Sequence, residues 1–267
     1  VDQSERLALC DRIADEEDAI DIAGEMEEGL SARKSSQTVR LEISKGTSRL
    51  LEQQLITLTG ANRDQIFKID GPLSLGDFMP LAFIPGYEAL KAESWEPLPS
   101  PEIDPHLPIL DQIAEKDILL HHPYQSFDPV IRLVEESAVD PNVLAIKQVL
   151  YRTAKDSRIV SALILAAENG KQVTALVEIK ARFDEGRNLH RADELQRAGA
   201  QIVYGVKGLK THAKITLVVR KEAGALKRYC HFGTGNYNES TAKIYTDVSL
   251  LTAHSDFGAD ASLVFNA

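Results

Sequence analysis

The run Gly208-Leu-Lys-Thr-His-Ala-Lys-Ile-Thr-Leu-Val-Val-Arg220 has the pattern of a β-strand that is entered from a glycine-containing turn. Successive side chains of a strand point to opposite faces of the sheet, so residues two apart share a face. Ile215, Leu217 and Val219 are therefore predicted to form one apolar face. By the same spacing, His212 and Lys214 are predicted to project together.

A glycine-rich loop, Gly233-Thr-Gly-Asn236, follows the next strand-like segment. An imidazole supplies a nitrogen nucleophile in its neutral form, and an ammonium group balances the charge of a phosphate. The amide of Asn236 and the N–H groups of the loop can hold phosphate oxygens. Together, His212, Lys214 and this loop indicate a site that handles phosphoryl groups.

Strand-like and helix-like segments alternate from about residue 109 onward. Such alternation predicts βαβ crossovers, and hence an α/β fold with a mixed, largely parallel sheet and helices on both faces. The predicted strands are 117–120, 143–151, 173–179, 201–206, 211–220, 226–232 and 247–252, and the predicted helices are 127–137, 157–169 and 188–198.

Residues 1–93 are predicted to form a smaller, partial α+β domain for interaction with other parts or copies of the protein. It is predicted to contain an acidic helix over 4–34, strands at 37–44 and 65–69, and a helix over 48–59 with Ser48 as N-cap and Gly60 as stop signal. Five prolines in residues 94–108 indicate an extended linker. The catalytic domain is then expected at 109–267.

Charge is distributed unevenly along the 267 residues, whose net charge is −10. Residues 1–30 have a net charge of −9, whereas residues 147–214 have a net charge of +6. The overall acidity argues against a general nucleic-acid binder, and the local basic surplus favours a polyanionic ligand. No apolar run is long enough for a transmembrane helix, and the two cysteines fit a reducing cytoplasm. Because no signal peptide is apparent, we expect a piece of a longer cytoplasmic protein, either free or peripherally associated with the membrane.

Cationic side chains follow three of the predicted strands. Arg152 follows the strand 143–151, Arg182 follows 173–179, and Lys210 follows 201–206. Functional residues of α/β proteins gather beyond the carboxyl ends of strands, so these cations are expected to meet near His212. Each of them alone would more often be a surface or ion-pair residue. His121, His122 and His231 are predicted to be structural.

At these residues the chain resembles the polyphosphate kinases. The resemblance is carried by Ala145–Ile159, Val177–Glu185, Gly208–Lys214, His231–Asn238 and Tyr245–Asp247. It implies the first phospholipase D-like catalytic domain of that family, preceded by the end of its head domain. The implied reaction is the reversible transfer of the terminal phosphate of ATP to polyphosphate through a phosphohistidine.

The resemblance also implies roles for individual residues. His212 falls on the phosphorylated histidine, with Lys214 and Asn236 beside it as catalytic groups, and Tyr245 falls on a nucleotide-contacting tyrosine. Arg152 and Arg182 fall on positions that the family associates with Mg²⁺. Because a guanidinium group has donors only, we expect these two arginines to grip phosphates that hold the Mg²⁺ of an ATP or ADP complex.

Two other functions stay open at the level of sequence. The first is a phospholipase D-like phosphodiesterase acting as a dimer, although that pattern would have an aspartate where this chain has Val219. The second is a non-catalytic fragment that binds polyanions or mediates oligomerisation. Because the sequence contains a single His-x-Lys pattern, we expect the chain alone to be weakly active or inactive. Separately, we expect the protein to be a homo-oligomer.

Overall fold

The computed structural model describes residues 36–93, 95–154, 156–178, 185–205 and 210–266, with a few further positions between residues 24 and 32. The chain divides into two compact units, Val1–Trp95 and Glu96–Ala267. The acidic helix predicted over 4–34 falls almost wholly outside the described residues.

The first unit contains a small parallel sheet. Strand β1 (Leu41–Ser44) pairs with β2 (Ile66–Ile69), and helix α1 (Arg49–Thr59) lies between them in the chain. Both predicted ends of this helix are confirmed. Ser48 Oγ accepts a hydrogen bond from the N–H of Leu51, and Gly60 has the left-handed conformation (φ 65°) that favours glycine after a helix. Three 3₁₀ segments complete the described part of this unit: Arg63–Gln65, Leu75–Phe83 and Glu88–Leu90.

The second unit is built on one sheet, to which the described residues contribute seven strands in the order β3-β9-β8-β7-β4-β5-β6. These strands are β3 (Ile118–His122), β4 (Val143–Leu150), β5 (Gln172–Val177), β6 (Gln201–Tyr204), β7 (Ile215–Glu222), β8 (Ala225–Gly233) and β9 (Asp247–Thr252). The helices are α2 (Ile109–Glu115), α3 (Asp128–Val139), α4 (Arg158–Glu168), α5 (Glu185–Arg197) and α6 (Ser255–Asn266), with a 3₁₀ turn at Thr241–Lys243.

Helices cover both faces of this sheet, which confirms the α/β class. On one face, α2 to α5 pack over a large apolar core that includes Ile146, Val218 and Leu251. On the other face, α6 packs on β7 and β8, where Ile215 and Leu217 belong to a smaller apolar cluster. None of the helices in the described parts of the chain is both long and apolar enough to cross a membrane.

The proportion of parallel pairing differs from the prediction of a largely parallel sheet. Among the described strands of the second unit, only β4-β5 and β5-β6 pair in parallel, whereas the other four pairings are antiparallel. The reason is the connection between strands. Ala223 and Gly224, both with positive φ, form a two-residue turn between β7 and β8, and such tight hairpins join antiparallel neighbours.

Part of the predicted linker, 94–108, packs within the second unit, and the strand predicted over 211–220 begins later than expected. Within the second unit, the Leu98 N–H bonds to the carbonyl of Tyr124, and Ile103 reaches the large core. Strand β7 begins only at Ile215, so residues 211–214 lie outside it. The division of the chain into domains at 94–108 stays a prediction.

Candidate active site

The carboxyl ends of β4 and β5 are tied together by the side chain of Asn188. Its Nδ2 donates to the carbonyl of Tyr151 at 2.7 Å and to the carbonyl of Glu178 at 3.0 Å. Asn188 lies on α5 and is buried. Because buried carbonyl groups need donors, this amide satisfies the first residue beyond each strand and fixes the two strand ends relative to each other.

Glu178 connects this edge of the sheet to the segment that holds the candidate nucleophile. Its side chain is only 3% exposed, and Oε2 accepts a hydrogen bond of 2.6 Å from the backbone N–H of Thr211. A hydrogen bond to an ionised carboxylate is among the stronger ones in proteins. Glu178 therefore anchors the chain immediately before His212.

His212 and Lys214 lie near Tyr151. The prediction that they belong to a strand is wrong, because β7 begins at Ile215. The imidazole of His212 is exposed, whereas Lys214 is only 5% exposed. The ammonium group of Lys214 donates to the carbonyl of His212 at 2.5 Å. The imidazole contacts the ring of Tyr151 edge to face, with 5.7 Å between the centroids. His212 is thus accessible to a ligand while its backbone is held on both sides.

Three cations surround the same tyrosine ring. Lys210 Nζ lies 5.3 Å from the ring centroid of Tyr151, Arg152 Cζ lies at 5.5 Å and Lys214 Nζ at 5.7 Å. Burial lowers the pKa of Lys214, and the negative charge of Asp247 opposes that shift. The structure thus brings Arg152, Lys210 and Lys214 together beside His212. Arg182, with Lys180 and Lys207, lies outside the described residues.

The glycine-rich loop begins beside Lys214. The Gly233 N–H donates to the Lys214 carbonyl at 3.0 Å, and Thr234 Oγ1 donates to Asp247 Oδ1 at 2.8 Å. A Cβ atom on Gly235 would lie 2.5 Å from Asp247 Oδ2, so the close approach of this carboxylate requires glycine. At the end of the loop, the Oδ1 of Asn236 is buried and has no hydrogen-bond partner among the residues that the structure describes, an arrangement that calls for a ligand or a water molecule.

Tyr245 lies apart from these groups. It follows the 3₁₀ turn Thr241–Lys243 and is 61% exposed. Its backbone N–H caps the turn by bonding to the carbonyl of Thr241. Among the described residues, no hydrogen bond or ring contact connects Tyr245 to His212.

A row of buried polar side chains crosses the sheet behind the loop. It takes one residue from each of five adjacent strands and one, Tyr237, from the loop after β8. Consecutive members are joined by hydrogen bonds of 2.7 to 2.9 Å. In order, the members are His122, Ser249, His231, Tyr237, Thr216 and Gln148. We refer to these six residues as the polar row.

The two histidines of the polar row are neutral. Burial lowers the pKa of His231 to about 3, and burial also lowers the pKa of His122. Both side chains are buried and hydrogen-bonded, in agreement with the structural role predicted for them. His231 also lies against the loop, because a Cβ on Gly233 would be 3.0 Å from its Cε1.

The donor set does not suit a metal ion held by the protein alone. Within the described residues, no group of three or more His, Cys, Asp or Glu side chains could hold a metal. Arg152 offers only donors. Among the described residues, the cationic groups of this site therefore offer donors to phosphate oxygens rather than ligands to a metal ion.

Sequence reasoning missed four residues that shape the site: Tyr151, Glu178, Asn188 and Asp247. One signal was available for Glu178, because an acidic residue directly follows the apolar end of a strand, Ala175-Leu-Val177. Tyr151 precedes the predicted Arg152 at the end of β4. Asn188 and Asp247 gave no such signal, because their contacts join residues far apart in the chain.

Two family models match this chain. The one described as polyphosphate kinase C-terminal domain 1 matches residues 108–267, and the one described as polyphosphate kinase middle domain matches residues 11–81. The polyphosphate kinase of Rhodopirellula baltica is 50% identical over 252 residues, which are 94% of this chain and 30% of that protein. The polyphosphate kinase of Pseudomonas aeruginosa is 41% identical over 256 residues, 96% of this chain and 37% of that protein.

A solved structure agrees with these sequence matches. The crystal structure of polyphosphate kinase from Porphyromonas gingivalis aligns with a TM-score of 0.67 and 34% identity, over 85% of this chain and 34% of that one. The phospholipase D family member Nuc from Salmonella typhimurium aligns with a TM-score of only 0.42 at 12% identity, covering 57% of this chain and 90% of that one, which is too low a likeness to bear on function. The chain spans about a third of the length of these polyphosphate kinases. On the two family models and these relatives, the chain belongs to the polyphosphate kinase family.

Proposed function

We propose that this chain supplies the nucleophilic half of a site that transfers the terminal phosphate of ATP to polyphosphate. The observation that carries the proposal is the exposed imidazole of His212, held beside Lys214, Lys210 and Arg152 at one tyrosine ring. Phosphoryl transfer needs a positioned nucleophile and positive charge around the moving group, and this arrangement offers both.

In the proposed step, a ring nitrogen of His212 attacks the γ-phosphorus of ATP. A nitrogen–phosphorus bond forms as the bond to the bridging oxygen breaks, and ADP leaves with the electron pair. Lys214 and Arg152 stabilise the negative charge on the equatorial oxygens, with Arg152 able to contact two oxygens at once. A terminal oxygen of polyphosphate then takes the phosphoryl group from His212, and the same steps in reverse would form ATP.

Other predicted residues take supporting roles in this proposal. Asn236 is proposed to hold a phosphate oxygen, because its side-chain amide lies at the end of the loop and its Nδ2 is a hydrogen-bond donor. Tyr245, with its exposed ring, is proposed to contact the nucleotide, and Arg182 to bind phosphate. Mg²⁺ is proposed to accompany the nucleotide rather than to occupy a protein cage.

The residues of this chain form only part of the proposed site, and we propose that other chain segments supply the rest. This chain covers about a third of its relatives, and it contains one His-x-Lys pattern. A transferring phosphoryl group needs charge on more than one side. We therefore propose that the chain alone is weakly active or inactive. Homo-oligomerisation and a cytoplasmic location stay predictions.

Labelling with ATP tests the proposal. The complete protein that contains this chain is incubated with ATP carrying a radioactive γ-phosphate, and the label is located by peptide mapping. We expect an acid-labile, alkali-stable label on His212 that His212→Ala abolishes. His190→Ala is the matched control, because His190 is an exposed histidine on α5 and its loss should leave the label unchanged. A label that survives His212→Ala would refute the proposal.

The phosphodiesterase alternative gains no support from the described geometry. Val219, which stands where that pattern would have an aspartate, pairs with Ala145 in the sheet and packs against the smaller apolar cluster. The binding-only alternative predicts that calorimetry detects binding of polyphosphate or ATP while the labelling experiment finds no label on His212. The proposed phosphotransferase predicts both binding and the label.

A further inference from the structure

We propose that the ring of Tyr151 is a positioning element of this site, which orients His212 and three cations before the phosphates bind. This inference rests on the function proposed above. The sequence pattern assigned no role to Tyr151, and no polar group of its side chain is needed for the role proposed here. The aromatic face alone is the active feature.

The backbone of Tyr151 is fixed from two directions. It follows β4 directly, and its carbonyl accepts the hydrogen bond of 2.7 Å from Asn188. The same amide holds Glu178, whose carboxylate in turn binds the N–H of Thr211. The ring is therefore attached to the same rigid frame that positions the segment of His212. Side chains on rigid elements give more exact geometry than side chains on free loops.

The ring contacts four groups that the proposed reaction uses. The imidazole of His212 meets it edge to face at an interplanar angle of 77°. The cationic groups of Lys210, Arg152 and Lys214 lie 5.3, 5.5 and 5.7 Å from its centroid. All three distances are within the range of about 6 Å over which a ring attracts a cation. An edge-to-face contact restricts the rotation of the imidazole about its side-chain bonds.

An aromatic ring solves an electrostatic difficulty of this site. Several cations close together repel one another, and the carboxylate of Asp247, whose charge acts on Lys214, is already bonded to Thr234. A carboxylate at this place would hold the cations but would also neutralise the charge that the phosphates require. The quadrupole of a ring attracts cations while leaving their full charge available to the ligand. Tyr151 therefore orders the cations without competing with phosphate for charge.

Progressive fluorination of the ring separates this role from simple packing. Tyr151 is replaced by phenylalanine and by its mono-, di- and trifluorinated analogues in the complete protein that contains this chain. Fluorine withdraws charge from the ring face and hardly changes its shape. We expect the rate of His212 phosphorylation to fall stepwise, by roughly 10-fold or more over the series. We also expect Tyr151→Leu to lose roughly 10- to 100-fold, most of which Tyr151→Phe recovers.

The same fluorinated series at Phe257 is the matched control. Phe257 also makes an edge contact with a histidine, His254, at a centroid distance of 5.8 Å, and no cation contact of its ring is seen among the described residues. Its substitution should leave the rate unchanged. If the rate is the same for phenylalanine and trifluorophenylalanine at position 151, or if Tyr151→Leu is fully active, the inference is wrong.

A second measurement keeps this inference distinct from the proposed function. If the unsubstituted protein carries no label on His212, the proposed function fails, and the inference is then judged on the affinity for tripolyphosphate by calorimetry. An affinity that weakens along the fluorinated series supports the inference, whereas a constant affinity overturns it. Far-UV circular dichroism confirms that each variant is folded, and the fluorinated series serves even if Tyr151→Leu does not fold.

Discussion

Replacing Tyr237 by phenylalanine removes one buried oxygen atom and keeps the ring. Tyr237 is 2% exposed, and its hydroxyl lies 2.7 Å from His231 Nδ1 and 2.8 Å from Thr216 Oγ1. Burial also raises the pKa of this hydroxyl, so it stays protonated and can donate. Thr216 keeps a second partner in Gln148 at 2.7 Å. The substitution therefore leaves one group, the Nδ1 of His231, without a hydrogen bond in a fully buried place.

The magnitude follows from that single unsatisfied atom. Leaving a buried polar group without its partner costs about 1–3 kcal/mol. Phenylalanine fills nearly the same volume, so no cavity adds to this cost. In a domain of this size, each kcal/mol lowers the melting temperature by about 2–4 °C. We therefore expect Tyr237→Phe to melt roughly 2–12 °C below the unsubstituted protein.

Thermal and urea unfolding, followed by circular dichroism, measure this effect. Tyr87→Phe is the control, because Tyr87 is 59% exposed and loses an oxygen that water can replace. Surface changes of that kind stay within about 0.5 kcal/mol. A Tyr237→Phe protein as stable as this control would show that the polar row does not stabilise the sheet, and the reasoning would be refuted.

Two further predictions concern the loop and the pH dependence of stability. Gly235→Ala places a Cβ 2.5 Å from Asp247 Oδ2, so either the loop or the carboxylate of Asp247 must shift, and we expect His212 labelling to fall roughly 10- to 100-fold. Gly186→Ala should label normally, because no described residue lies within 4 Å of its Cβ. The pKa of His231 is about 3 in the folded protein, against an ordinary value of 6.5. Between pH 3 and pH 6.5, the unfolded chain therefore binds a proton at His231 that the folded chain does not bind. The free energy of unfolding must then fall as the pH drops through this range. In urea unfolding, the unsubstituted protein should lose about 2 kcal/mol more between pH 7 and pH 5 than His231→Gln, and equal losses would contradict the buried, neutral histidine.

Local elements were predictable wherever a local cause fixes them. The ends of α1 followed from Ser48 and Gly60, since capping depends on residues within one turn of the helix. The strands of the second unit were predicted within a few residues, because short apolar runs bounded by turn residues are typical of strands. The start of β7 was placed too early, since residues 211–214 are held by Glu178 and the Gly233 N–H rather than by a neighbouring strand.

The direction of the strands and the frame of the site needed the structure. The alternation of strands and helices holds only up to β6, and the short turn at Ala223 and Gly224 reverses the chain into antiparallel pairs. The sequence was enough to predict that cationic side chains follow the strand ends. Their meeting point at Tyr151 was not predictable, because it depends on Asn188, which binds the carbonyl of Glu178, 10 residues earlier, and the carbonyl of Tyr151, 37 residues earlier. Contacts of this range leave no periodic signal in a sequence.

A count of protons in the polar row links its neutrality to the orientation of one amide. Six hydrogen bonds connect the Gln125 carbonyl, through His122 and the rest of the row, to the side chain of Gln148. The two neutral imidazoles and three hydroxyls supply one proton each, which is one too few. An imidazolium could supply the sixth, but burial holds the pKa of His231 near 3. The structure turns the Oε1 of Gln148 toward Thr216 and its NH₂ toward the carbonyl of Val149, at 3.3 Å. With both histidines uncharged, one of the six contacts therefore has no proton unless the amide of Gln148 turns over, which would satisfy the row but give up the bond to Val149.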